Sequence, residues 1–302
     1  MEQRHVQLNG IFAAATTPFD ADTGDVDVAA FRRNAQFLLD APLAGLVLFG
    51  STGEGVFVDR DERGAMLAAA RELLGERLLL AGTGAESTRA TIRLCRDAAA
   101  AGADAVLVQP PGFFRSLMTA TALRDHYSRV ADASPVPVIL YQVPAPFRSV
   151  ELDLRLIATL SQHPNIAGVK DSSGDVAALA ELGRTCREGF AVIVGTAAVL
   201  QDALDAGASA GILALAAIAP HECTEILRLW RAGEREECAR VQAVAAELHK
   251  AVVGRFSVPG VKAALDFLGL PGGQPRPPMQ PLGPAECESL AESMRAASRI
   301  PR

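Results

Sequence analysis

What most constrains this chain is a rhythm of apolar runs. Stretches rich in β-branched and other apolar residues recur at intervals of roughly 20 to 35 residues, each followed by small or polar residues and then an amphipathic stretch. Eight of them read as strands: Ile11–Thr16, Gly45–Phe49, Leu78–Gly82, Ala105–Gln109, Val136–Tyr141, Ile166–Lys170, Ala191–Gly195 and Ala210–Leu215. Between them, apolar residues at three- and four-residue spacing predict helices over Val28–Leu39, Arg60–Leu74, Thr88–Ala101, Ala120–Ala133, Asp153–Leu160, Val176–Cys186 and Val199–Ala206. Strands that are apolar along their whole length are buried on both faces, the condition of a parallel sheet covered by helices. Eight such units in series predict an α/β chain folded as a (β/α)8 TIM barrel.

The pattern does not stop where the barrel should. Helical periodicity continues over His221–Arg231, Arg235–Val253 and Val258–Leu268, and a Pro/Gly-rich connection, Pro271 to Pro284, leads to a last helix from Ala285 to Ala297. A barrel closes with one helix. The expected division is therefore a barrel carrying the site over residues 1–220 and a C-terminal helical extension over 221–302, packed on the barrel or on a partner subunit.

Composition removes several classes of function. The net charge of -6 is spread along the chain with no basic block to neutralise phosphates, so no nucleic-acid partner is expected. The five cysteines lie far apart without a C-x-x-C pair, which suits free thiols in a reducing compartment better than a disulfide framework or a zinc site. The histidines show no metal-ligand spacing. Met1 to Gly10 is polar and lacks the apolar core of a signal peptide, and the longest weakly polar run, Ala208 to Pro220, is too short to span a bilayer. A cytoplasmic protein without a membrane partner is expected.

The chemistry is signalled by lysine. Only Lys170, Lys250 and Lys262 occur in a chain that otherwise uses arginine for its positive charges, and Lys170 ends an apolar strand. A desolvated amine can lose its proton and attack a carbonyl, which a guanidinium cannot. The plainer reading is a lysine snorkelling from a strand end, so its neighbours matter. Reacting groups in a parallel barrel gather at the carboxyl ends of the strands. Strand five ends in Tyr141, on a neighbouring strand about 5 Å away. Strand two ends in Gly50-Ser51-Thr52-Gly53-Glu54, where glycines let backbone N–H groups approach an anion and two hydroxyls add donors. An anion-binding turn, a phenol and a strand-end lysine are the parts of a class I aldolase acting on a small 2-oxo acid, which needs neither metal nor other cofactor. Taken singly, the turn is only a turn, and Tyr141 is a core aromatic with a wet tip. Gly82-Thr83-Gly84-Ala85-Glu86-Ser87 reads as a strand end running into a helix capped by Ser87 or Thr88.

Motifs at three strand ends carry a resemblance. With G-S-T-G-E at 50–54, Y-Q-V-P at 141–144 and G-V-K-D-S-S-G-D at 168–175, the chain resembles the dihydrodipicolinate synthase and N-acetylneuraminate lyase superfamily along nearly its whole length. Runs at 77–88, 160–171 and 255–262 bring it nearest to the 4-hydroxy-2-oxoglutarate aldolases of that superfamily. The resemblance implies that Lys170 forms the Schiff base, Tyr141 shuttles protons with Ser51 in the relay, Thr52 and the neighbouring Gly50 bind the carboxylate, and Leu213 lines the pocket through its backbone. It also implies a homotetramer, a dimer of dimers. Two positions depart from the pattern. Phe113 stands where many members have a tyrosine that reaches a neighbouring subunit's site, so the relay lacks a hydroxyl there. The arginine of true dihydrodipicolinate synthases falls at Pro146, with Arg148 two residues further on, which disfavours that reaction. Cleavage of a 4-hydroxy-2-oxo acid or a 2-keto-3-deoxy sugar acid is the expected activity. A sugar-acid dehydratase using the same iminium, or a weakly catalytic 2-oxo-acid binder, are the alternatives.

Overall fold

Each apolar run becomes a strand and each amphipathic run a helix in the computed structural model, which describes residues 6–144, 147 and 150–298. The strands are β1 (Gly10–Ala14), β2 (Gly45–Leu48), β3 (Leu78–Gly82), β4 (Ala105–Val108), β5 (Val138–Gln142), β6 (Ile166–Asp171), β7 (Ala191–Val194) and β8 (Ala210–Leu213). They pair in sequence order, all parallel, and β8 returns to β1 to close a (β/α)8 TIM barrel. Strand five starts later than its apolar run because Pro137 has no N–H to donate to the ladder.

Helices α1 (Val28–Leu39), α2 (Arg60–Leu74), α3 (Thr88–Ala100), α4 (Ala120–Ala133), α5 (Leu154–Leu160), α6 (Val176–Thr185) and α7 (Leu200–Asp205) fill the connections. Side chains of Asp27, Ser87, Thr119 and Asp175 accept the free N–H groups at the starts of α1, α3, α4 and α6, so Ser87 and not Thr88 is the cap of its helix. α8 (Pro220–Ala232) packs against α7 and β1, and α9 (Arg235–Leu248), α10 (Arg255–Phe267) and α11 (Pro284–Ser298) follow it.

The two-residue alternation of a strand sorts the core into two layers. Phe12, Val47, Leu80, Leu107, Ile139, Tyr141, Ile193 and Ile212 fill the barrel. Leu46, Leu48, Leu79, Val106, Leu140 and Val169 pack outward against the helices. Register then decides where Lys170 points: it is level with Tyr141 on one side and Ile193 on the other, both in the inner layer. Its amine enters the barrel.

The C-terminal helices hold the one large irregularity. Residues His249–Gly254 form a π-helical turn between α9 and α10, and inside α10 Ser257 leaves the helix at φ 54, ψ -139. Pro259 follows two residues later, unable to donate an intrahelical hydrogen bond. The gap between the two helices expected over 235–253 and 258–268 falls on this kink.

Candidate active site

The loop after β2 is folded back on itself by short-range bonds. Glu54 N–H donates to Ser51 O (3.1 Å) and Gly55 N–H to Gly50 O (3.1 Å), while the Thr17 hydroxyl fixes Gly53 O from the neighbouring strand end (2.6 Å). The fold is tight enough that a Cβ on Gly55 or Gly82 would overlap the Phe49 carbonyl. That crowding accounts for Gly82 in the run 82–87 and for Gly55, which directly follows the motif at 50–54. Phe49 itself takes a left-handed φ of 58. The turn presents Ser51 to the barrel mouth, where its Oγ lies 3.0 Å from the Tyr141 hydroxyl.

Tyr141 is buried, and the Lys170 amine lies 4.3 Å from the centre of its ring. Lys170 is only 5% exposed, which removes the snorkelling reading, and no carboxylate forms an ion pair with it among the described residues. An amine, a phenol and a hydroxyl thus stand in sequence at the ends of β6, β5 and β2; Ser51 and Tyr141 line a cavity of about 380 Å³, while Lys170 sits against the Tyr141 ring and is not itself part of the cavity wall. The cavity is within the range of small-molecule sites. Its wall includes Gly50, Ser51, Tyr141, Val143, Arg63, Glu86, Gln109 and Ser257.

The other expected site residues lie around this group or outside the described residues. Thr52 is buried in the turn beside Ser51 but is not part of the cavity wall. Leu213 packs its side chain into the outer layer. Phe113 is 80% exposed, stacks edge-on with Phe114 and lies outside the wall, although its neighbour Gly112 is part of it. Arg148 and Pro146 lie outside the described residues. No group of three His, Cys, Asp or Glu side chains among the described residues is arranged to hold a metal ion.

Three residues of the site escaped the sequence reading. Arg63 lines the cavity, donates to the carbonyls of Val58, Gly82 and Gly55, and lies over the Phe49 ring; burial draws its pKa down to about 10. Glu86 accepts the N–H groups of Gly112 and Phe113, which fixes the loop after β4 and gives the G-T-G-A-E-S motif a second use. Lys262, on α10, is 1% exposed, with Nζ 2.6 Å from Glu54 Oε1 as an ion pair and 2.8 Å from Gln274 O as a hydrogen bond. Glu54 Oε2 accepts Arg276 N–H (2.8 Å), and the Arg276 guanidinium pairs with Glu62. The clue lay in the scarcity of lysine: all but one of three were put to use, and only Lys250 stays on the surface.

This strand-end lysine, tyrosine and serine arrangement can be set beside known proteins. The model of the dihydrodipicolinate synthetase family matches residues 7–297. The chain belongs to that family. Within it, the chain is 38% identical to a probable mitochondrial 4-hydroxy-2-oxoglutarate aldolase of Emericella nidulans, over 95% of this chain and 94% of the relative. It is 33% identical to the L-threo-3-deoxy-hexylosonate aldolase of Hypocrea jecorina, over 96% of each. Among solved structures, the family member YagE of E. coli K12, in complex with pyruvate, superposes with a TM-score of 0.90 at 28% identity, covering 97% of this chain and 99% of that one. Like these dihydrodipicolinate synthetase family aldolases, the protein is an enzyme, a carbon–carbon lyase.

Proposed function

We propose that the enzyme cleaves a 4-hydroxy-2-oxo acid, either 4-hydroxy-2-oxoglutarate or a 2-keto-3-deoxy sugar acid, to pyruvate and an aldehyde through a Schiff base on Lys170. The observation that carries this reading is the buried lysine beside Tyr141, whose hydroxyl is bonded to Ser51 at 3.0 Å. The names of the two aldolase relatives and the pyruvate complex of YagE support the substrate class.

The chemistry follows from the order of the groups. The amine adds to the C2 ketone and water leaves, giving an iminium. Tyr141 gives its phenolic proton to the departing water and, as a phenolate held by the Ser51 hydroxyl, takes back the proton of the C4 hydroxyl; the C3–C4 bond breaks, its electrons enter the iminium, and the aldehyde departs. The resulting enamine is protonated at C3, and hydrolysis releases pyruvate and the free lysine. Thr52 and Gly50, in the turn at the end of β2, are assigned to the C1 carboxylate.

Borohydride reduction in the presence of pyruvate tests it. A pyruvate-derived mass adduct mapped to Lys170, absent in Lys170→Met, is expected; no adduct at saturating pyruvate would refute the Schiff base. Product analysis separates the lyase from a dehydratase, which would keep the carbon skeleton whole. We also propose a cytoplasmic homotetramer. The exposed Phe113, Phe114 and Leu117 beside the cavity mouth favour association, which sedimentation measures directly. Among the described residues no helix is long and apolar enough to cross a membrane.

A further inference from the structure

Three non-glycine residues among those described have a left-handed backbone, Phe49, Glu54 and Ser257, and all three line the same cavity. Phe49 and Glu54 belong to the tight turn after β2, which explains them. Ser257 does not: it comes from α10, far along the chain, at a φ and ψ that only glycine adopts at little cost. A serine kept in such a conformation on a cavity wall calls for a use, because glycine in its place would relieve the strain.

The other polar side chains of that wall are nearly all engaged. Ser51 and Tyr141 bond each other, Arg63 serves backbone carbonyls, Glu86 holds the loop after β4, and Glu54 faces Lys262 and Arg276 N–H. Gln109 and Ser257 make no side-chain hydrogen bond with the described residues. Of these two, Gln109 has an unstrained backbone. Much of the remaining wall is apolar, formed by Phe49, Leu107, Val143, Val150, Val258 and Met279.

We propose that Ser257 is the specificity-determining contact for the hydroxylated half of the substrate, its Oγ–H hydrogen-bonding the C4 hydroxyl of the bound 2-oxo acid. The inference rests on the lyase reading above. α10 is built to aim it: a turn and a half beyond Ser257, Lys262 is locked onto Glu54 in the turn that carries Ser51, so the serine and the proton relay share one anchor.

The test compares cleavage of 4-hydroxy-2-oxoglutarate with inhibition by 2-oxoglutarate, which lacks the C4 hydroxyl. A neutral hydrogen bond is worth about 2- to 10-fold. Ser257→Ala should lower kcat/KM for cleavage by that factor and leave the Ki of 2-oxoglutarate within about 2-fold, since only the hydroxylated ligand loses a bond. Ser257→Gly, which removes the strain as well, should show the same selective loss. Gln109→Leu should not. Equal losses for both ligands, no loss in either serine variant, or a selective loss confined to Gln109→Leu would overturn the assignment. The borohydride adduct and pyruvate release by the parent protein keep the two readings apart: with both present the lyase reading stands whatever the serine variants show, and without the adduct both fall.

Discussion

The buried pair between Glu54 and Lys262 permits a quantitative prediction. Glu54→Gln preserves the shape and can still accept Arg276 N–H, but it leaves the Lys262 ammonium with Gln274 O as its main acceptor and only the weaker pull of Asp266 as opposing charge. The Lys262 and Glu54 side chains are 1% and 0% exposed, so water does not compensate. Breaking such a pair from one side costs about 3–5 kcal/mol. For 302 residues, an unfolding entropy of about 2.1 cal/mol/K per residue turns that into a Tm lower by roughly 5–8 °C. The pH dependence has a definite sign. Burial already lowers the Lys262 pKa from 10.5 against the opposing pull of Glu54, and removing that carboxylate lowers it further. Between the depressed folded value and the ordinary one the unfolded chain holds the proton and the folded chain does not, so stability rises with pH across that window. Urea unfolding of Glu54→Gln should therefore show its largest loss near neutrality and a smaller loss as pH approaches 10. The double variant Glu54→Gln/Lys262→Met, with neither charge, should regain at least about half of the loss. A single-variant cost under about 1 kcal/mol, equal at pH 7 and pH 9.5, would refute this account of the pair.

Other substitutions test other parts of the structure. Tyr141→Phe should lower kcat by about 10²–10⁴ while still trapping pyruvate on Lys170 slowly, and Ser51→Ala should have a smaller effect in the same direction, both read by steady-state kinetics. Gly82→Ala drives a methyl into the Phe49 carbonyl. It should reduce soluble yield or Tm and, where folded protein is recovered, lower kcat more than Gly64→Ala, whose Cβ would meet nothing within 4 Å.

The barrel was legible because periodicity reports burial, and burial on both faces is what a parallel strand needs. Lys170, Tyr141 and Ser51 were legible for a related reason: a strand end fixes where a side chain emerges, and register makes neighbours on adjacent strands converge. Strain and long-range ion pairing were not. Nothing local marks Ser257 as left-handed, since the sequence around it reads as an ordinary helical restart before a proline. Glu54 and Lys262 are 208 positions apart, and neither carries a signal that names the other. Phe113, which the resemblance places at a neighbouring subunit's site without the relay hydroxyl, turns its side chain to the surface of this chain while its N–H is spent on Glu86.

The tie between Glu54 and the chain's last third has a consequence for how the enzyme comes into being. Glu54 is made early, but its cationic partner arrives at Lys262 and its remaining donor at Arg276. A nascent chain that has emitted all eight strands can close the barrel and still lack what neutralises the acid in the loop after β2. The turn that carries Ser51 therefore reaches its final electrostatic state only after Lys262 and Arg276 have been added, well after the last barrel strand.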